Sequence, residues 1–180
     1  MLIAKHLKKT SPAEHVLYLW QVEDVLRAYG CDSERIEKEY LPKFQLTGDD
    51  LAATTRWYAD LCTMMHEEGK MESGHLQISQ NALQELAELH QKLLASERFP
   101  YYREMYYKVL PYIVELRARG ANKDEGELQV CFDALYGVLT LKMQKREISD
   151  ATSAAVKDIS TLLGKLSDYA LRDAEEPLDF

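Results

Sequence analysis

Glycine, proline and cysteine are scarce in this 180-residue chain: eight, five and three respectively. The cysteines, Cys31, Cys62 and Cys131, are odd in number and far apart, with no CxxC or Cys/His clustering. That spacing argues against a disulfide framework or a zinc site and suits small core residues in a reducing compartment. Basic residues are outnumbered, 22 against 30 acidic, for a net charge of −8. General nucleic-acid binding needs a basic face to replace phosphate counterions, so it is not expected. No run approaches the roughly 18 apolar residues of a membrane span. The opening "MLIAKHLKKT" has too short an apolar run before its lysines for a signal peptide. The expectation is a cytoplasmic protein with no membrane contact.

Histidine is equally thin: His6, His15, His66, His75 and His90. There is no HExxH and no pair four residues apart; the one Glu-x-x-His, Glu72 to His75, contains Gly74 and reads as loop. His90 falls within an apolar stripe and reads as a hydrogen-bonded core residue. Neither metal nor cofactor is expected, and the motifs of serine hydrolysis, phosphate loops and dinucleotide binding are missing. These absences weaken an enzymatic reading and leave no catalytic residue to name.

What is present is helix punctuation. Hydrophobic residues make up 46% and charged residues 29%, a globular composition large enough for one domain with a substantial core. Ser11, Pro12 and Glu14 open a helix that Gly30 closes. A short helix over 33–40 stops at Pro42. Thr47 and Gly69 bracket the next, with its stripe at Leu51, Tyr58, Leu61, Cys62 and Met65. Ser79 is expected as a cap, with Ile78 stapling onto Leu83; Leu83, Leu86, Ala87, Leu93 and Leu94 share that helix's face. Pro100 and Gly120 bound a fifth helix. Asp124 and Glu127 form a capping box for a sixth, which buries Leu128, Cys131, Phe132, Leu135, Leu139 and Met143. Ser149 caps a seventh. Residues 1–10 read as an N-terminal arm, and residues 173–180 as a tail that frays unless Leu178 and Phe180 dock. The fold class is all-α: a compact single-domain bundle over 1–180 of about six or seven helices with a kinked central helix.

The central helix is "YYREMYYKVLPYIVELRARG", with five tyrosines and Pro111. At about 100° per residue its apolar and tyrosine side chains fill roughly two-thirds of the wheel, which predicts contact from several sides. Pro111 cannot donate to the Tyr107 carbonyl and predicts a kink. Packing is the leading explanation of such a stripe, with a phenol-lined pocket as the functional alternative. Tyr102, Tyr106, Tyr107 and Arg117 are its candidate residues. Glu23, Asp24 and Arg27, which follow Trp20 along the apolar side of the first helix, complete the candidate polar network. Glu23 and Arg27 are spaced for an intrahelical pair. Arg117 falls inside an apolar arc, and its guanidinium is expected to pair with Glu23 or Asp24. The sixth helix carries a second face, Val130, Ala134, Gly137 and Leu141. A mid-helix glycine there predicts a close helix–helix seam within the chain or with a second subunit.

The segments "LYLWQVEDVLRA", "GHLQIS", "YYKVLPYIVELR" and "CFDALYGVLTLKMQKREIS" resemble an uncharacterised bacterial family of small all-helical proteins, typical of the Bacteroides group and known only as a domain of unknown function. The resemblance implies a bacterial cytoplasmic helical protein and brings no activity or site residue. The leading reading is a non-enzymatic module that binds a partner protein or forms a homo-oligomer. The alternative is a small-molecule binder or enzyme using the tyrosine helix and the first-helix charges.

Overall fold

The computed structural model describes residues 2–119 and 125–180. Gly120 and Asp124, the expected terminator and cap, lie outside the described residues. All regular structure among the described residues is helical, in eight α-helices rather than six or seven: α1 (Leu2–Thr10), α2 (Pro12–Ala28), α3 (Ser33–Arg35), α4 (Gly48–Glu67), α5 (Gln77–Ala95), α6 (Pro100–Ala118), α7 (Glu127–Met143) and α8 (Asp150–Glu175). The additional helix is α1, formed by the expected N-terminal arm. It buries Ala4 and places Lys8 and Lys9 at its negative end.

Local punctuation sets several boundaries where it was expected. Gly30 and Gly69 both adopt positive φ, 70° and 65°. The following amides then close back on the helix, Cys31 N–H to the Leu26 carbonyl and Lys70 N–H to that of Met65, at 2.7 and 2.8 Å. The Ser149 hydroxyl accepts from the Thr152 amide at 3.1 Å. Pro42, by contrast, does not end the short third helix. The chain widens into a π turn at Ile36–Tyr40 and tightens into a 3₁₀ turn at Leu41–Phe44, with proline in its first turn, where no amide is needed.

The chain divides into two compact units, Met1–Thr10 with Glu14–Ala82, and Ser11–Ala13 with Leu83–Phe180. The first has a core of Val22, Leu26, Ile36, Leu41, Leu61, Met65 and Leu76, with Tyr18, Tyr29, Tyr40 and Trp57 packed around it. In the second, α6, α7 and α8 are mutual neighbours. Their largest fully buried side chains include Tyr102, Ile113, Phe132, Ile159 and Leu162. The tail of this unit docks. Phe180 lies against Phe99 with ring centroids 5.7 Å apart, Arg98 pairs with Asp179, and the Leu178 amide donates to Asp173 at 2.8 Å.

The tyrosine helix is not central. In α6 the fully buried stripe is Tyr102, Val109 and Ile113, while Tyr101, Tyr107 and Val114 are about 60% exposed. The wheel overstated burial because a tyrosine counted as apolar can keep its phenol in water. The helix continues through Pro111 to Ala118. Within the chain, the close seam expected on α7 does not form at Gly137. Val130 is buried, but Gly137 is exposed, and a Cβ built on it meets nothing within 4 Å. Met143, expected in the core, is 72% exposed, because burial on α7 is concentrated toward its start, at Leu128, Val130, Cys131 and Phe132.

Candidate functional site

Glu23 is 1% exposed, whereas Asp24 beside it is exposed. A buried carboxylate must be met by donors, and three converge on it. His75 Nδ1 lies 2.7 Å from Oε2; the Leu76 amide and the Ser79 hydroxyl donate to Oε1 at 3.0 and 2.6 Å. His75 stacks on Trp20 with ring centroids 4.1 Å apart. Leu76 immediately precedes α5, so the anion sits at that helix's positive end. This relocates the expected cap: α5 starts at Gln77, and Ser79 lies inside its first turn, donating to Glu23. The Glu23–Arg27 pair is corrected in the same way. Arg27 bonds Asp24 at 3.0 Å and ties down the loop before α5 through the carbonyls of Lys70 and Gly74. Two acceptors on the loop and one on its own helix suit the guanidinium fork better than a carboxylate already held by three donors.

In the second unit, His90 is 2% exposed, and its Nδ1 lies 2.6 Å from the Tyr102 hydroxyl. Burial pulls the imidazole down to about 4, with Glu127 opposing the shift, so the ring is neutral at pH 7. Its Nε2 has no partner among the described residues. Tyr106 donates to Glu127 at 2.7 Å and is pushed up to about 12, by burial first and then by that carboxylate. Arg117 donates to the Glu125 carbonyl at 2.5 Å and stands 3.9 Å from Glu127. The expected pairing of Arg117 with Glu23 or Asp24 is therefore replaced by two separate sets of partners, each supplied by nearby structure. Burial also raises all three thiols, Cys62 to about 11 and Cys131 to about 12.

The second unit opens a cavity of about 250 Å³ against the part of α6 that follows Pro111. Tyr112 and Leu116 of α6, Ala134 and Val138 of α7, and Ala155 and Ile159 of α8 line it, with Glu115 and Arg119 also at its wall. Those two charges pair with each other at 2.5 Å. The arrangement is an apolar groove with a paired charged edge. Of the candidate residues only Ala134 reaches it. Tyr102 and Tyr106 belong to the His90 and Glu127 bonds, and Tyr107 is exposed. Val138, Ala155 and Ile159 are not among the candidate residues because a gap between helices has no sequence signature.

Among the described residues, no group of three or more His, Cys, Asp or Glu is placed to hold a metal ion. No helix among them is long and apolar enough to cross a membrane. One family model, Domain of unknown function (DUF4924), matches residues 1–176. No curated protein and no solved structure matches the chain.

Proposed function

The chain belongs to the DUF4924 family, and from that premise we propose that it is a non-enzymatic helical interaction module. Its binding element is the groove between α6, α7 and α8. The observation that carries this reading is the open volume of about 250 Å³ with an apolar lining and charged Glu115 and Arg119 at its wall. A partner's amphipathic helix meets such a groove by inserting one or two apolar anchors while its polar side meets the charged edge. The engagement of buried Glu23 and half-buried Glu127 supports the same reading. Glu23 and Glu127 hold a helix start and a phenol, which are structural tasks. The partner is a second copy of the chain or another protein. The buried free thiols support a reducing compartment such as the cytoplasm, and the resemblance supports a bacterial, Bacteroides-type source.

Ala155→Arg puts a cation into the groove from the first half of α8. Sedimentation velocity should show self-association of the wild type that this variant loses at an unchanged melting temperature. A photo-crosslinking residue at Ala151 should give discrete adducts in cells, and these should vanish with Ala155→Arg. Monomeric wild type together with no Arg-sensitive adduct would end the interaction reading.

A further inference from the structure

The apolar and tyrosine side chains of α6 fill roughly two-thirds of its wheel, yet only Tyr102, Val109 and Ile113 are buried. A helix packed on one side needs an apolar stripe of little more than about 100°, so the surplus requires another explanation. It faces outward. Glu104, Tyr107, Pro111, Val114 and Ala118 are all exposed, at alternating spacings of three and four residues. Tyr107 and Val114 are 63% and 60% exposed. Such spacing is the seam along which one helix lies against another. All of these residues belong to the second unit.

Charge selects the occupant. One edge of the seam carries Glu104, Lys108, Glu115 and Arg119, all exposed, at spacings of four, seven and four residues. Read forward their signs are −, +, −, +; read backward they are +, −, +, −, at the same spacings. An edge of this kind meets a reversed copy of itself with opposite charge at every position. We propose that the outer face of α6 pairs with the same face of a second copy of the chain, antiparallel, about a two-fold axis beside Pro111. Lys108 then meets Glu115 of the second copy, Glu104 meets its Arg119, and Tyr107 lies against its Val114, each contact occurring twice. A parallel pair would set each charge level with its own copy and lose the match. Arg117, on the other edge, is held inward by the Glu125 carbonyl, so it does not face Arg103 of the second copy. Lys108 and Glu115 keep their exposed partners within the chain, Asp158 and Arg119, and the crossing joins those pairs into one network. The inference rests on the interaction reading above and names its partner. Glu115 and Arg119 are also the charged edge of the groove, where Ala155→Arg would compete for Glu115.

The seam from Tyr107 to Ala118 is about 17 Å long at 1.5 Å per residue, so the dimer is of the small, reversible kind. Sedimentation velocity of the full-length protein at up to about 1 mM reads it. Lys108→Glu and Glu115→Lys each set like charges opposite one another twice. Either should weaken dimerisation about tenfold, the effect of two exposed ion pairs turned repulsive. Mixed in equal amounts, the two variants should restore it, because every crossing pair is then opposite in sign again. An effect confined to one chain cannot be undone by mixing. Pro111→Cys should give a disulfide-linked dimer when oxidised with diamide. Glu104→Cys should not, because this register holds it about 20 Å from its own copy. Wild type that stays monomeric at the highest concentration, no recovery on mixing, or Glu104→Cys linking as readily as Pro111→Cys would each overturn the proposal. A monomeric wild type that still gives Ala155→Arg-sensitive adducts with a different protein would overturn this pairing and leave the interaction reading standing.

Discussion

Glu23→Ala removes one acceptor group and strands several donors at once. The carboxylate is 1% exposed and receives His75, the Leu76 amide and the Ser79 hydroxyl within 2.6–3.0 Å. A hydrogen bond to a charged group contributes about 1.5–3 kcal/mol, and an anion at a helix start adds about 0.3–2 kcal/mol. These contributions share one carboxylate and cannot simply be summed. Removing one member of a buried charged set costs about 3–5 kcal/mol, and that is the expected loss for Glu23→Ala in urea unfolding. Glu23→Gln retains the shape and one acceptor oxygen, so its loss should be smaller, about 1–3 kcal/mol. Pairing Glu23→Gln with Ser79→Ala and with His75→Ala separates local bonds from general packing. Each pair should couple by more than about 0.5 kcal/mol. A Glu23→Ala loss under about 1 kcal/mol with additive pairs would mean that the carboxylate does not anchor α5, and the reasoning from burial to anchoring would fail.

Gly137→Ala should raise stability by about 1 kcal/mol, because the new methyl meets open space and alanine is the better helix former; a lowered melting temperature would refute this. His90 is pulled down to about 4 in the folded protein, below its ordinary value of about 6.5. Its contribution is therefore fully present above pH 6.5 and is lost as pH falls toward 4, by up to about 3 kcal/mol. An NMR titration midpoint for His90 near its ordinary value would contradict that assignment. Arg117→Ala should couple with Glu127→Gln by about 0.5–1 kcal/mol, the range for a half-exposed pair, and should be additive with Glu23→Gln; denaturant double-mutant cycles read both, and the reverse pattern would restore the pairing expected from sequence.

The fold was legible where one short stretch determines the outcome. Gly30 and Gly69 end helices because the backbone there needs positive φ, and Ser149 caps because the amide that donates to its hydroxyl lies three residues away. Ser79 misled for the opposite reason. Its sequence neighbourhood suits a cap, yet a carboxylate more than fifty residues earlier occupies that role, and no local pattern encodes such an arrival. Residues 2–10 were passed over because nine residues cannot hold a helix by themselves, so α1 depends on tertiary burial of Ala4. On α6, the spacing gave an arc over two-thirds of the wheel that contains the buried Tyr102, Val109 and Ile113 but could not distinguish a buried phenol from the exposed one of Tyr107.

The candidate site was harder to read for a reason that concerns charge. Sequence reasoning selected Glu23 and Arg117 because charges on apolar faces stand out. A buried charge left unmatched costs several kcal/mol, on the order of a whole domain's net stability. The fold must therefore supply it with partners, and the supplied partners turn it into a structural part. Glu23 became the anchor of α5, and Arg117 became a brace on the segment entering α7. A hydroxyl is different, because leaving one unmatched costs only about 1–3 kcal/mol, which a domain can tolerate. Thr54 shows the difference: its hydroxyl is buried with no partner among the described residues, and its sequence context, "LAATTRWY", gives no sign of that.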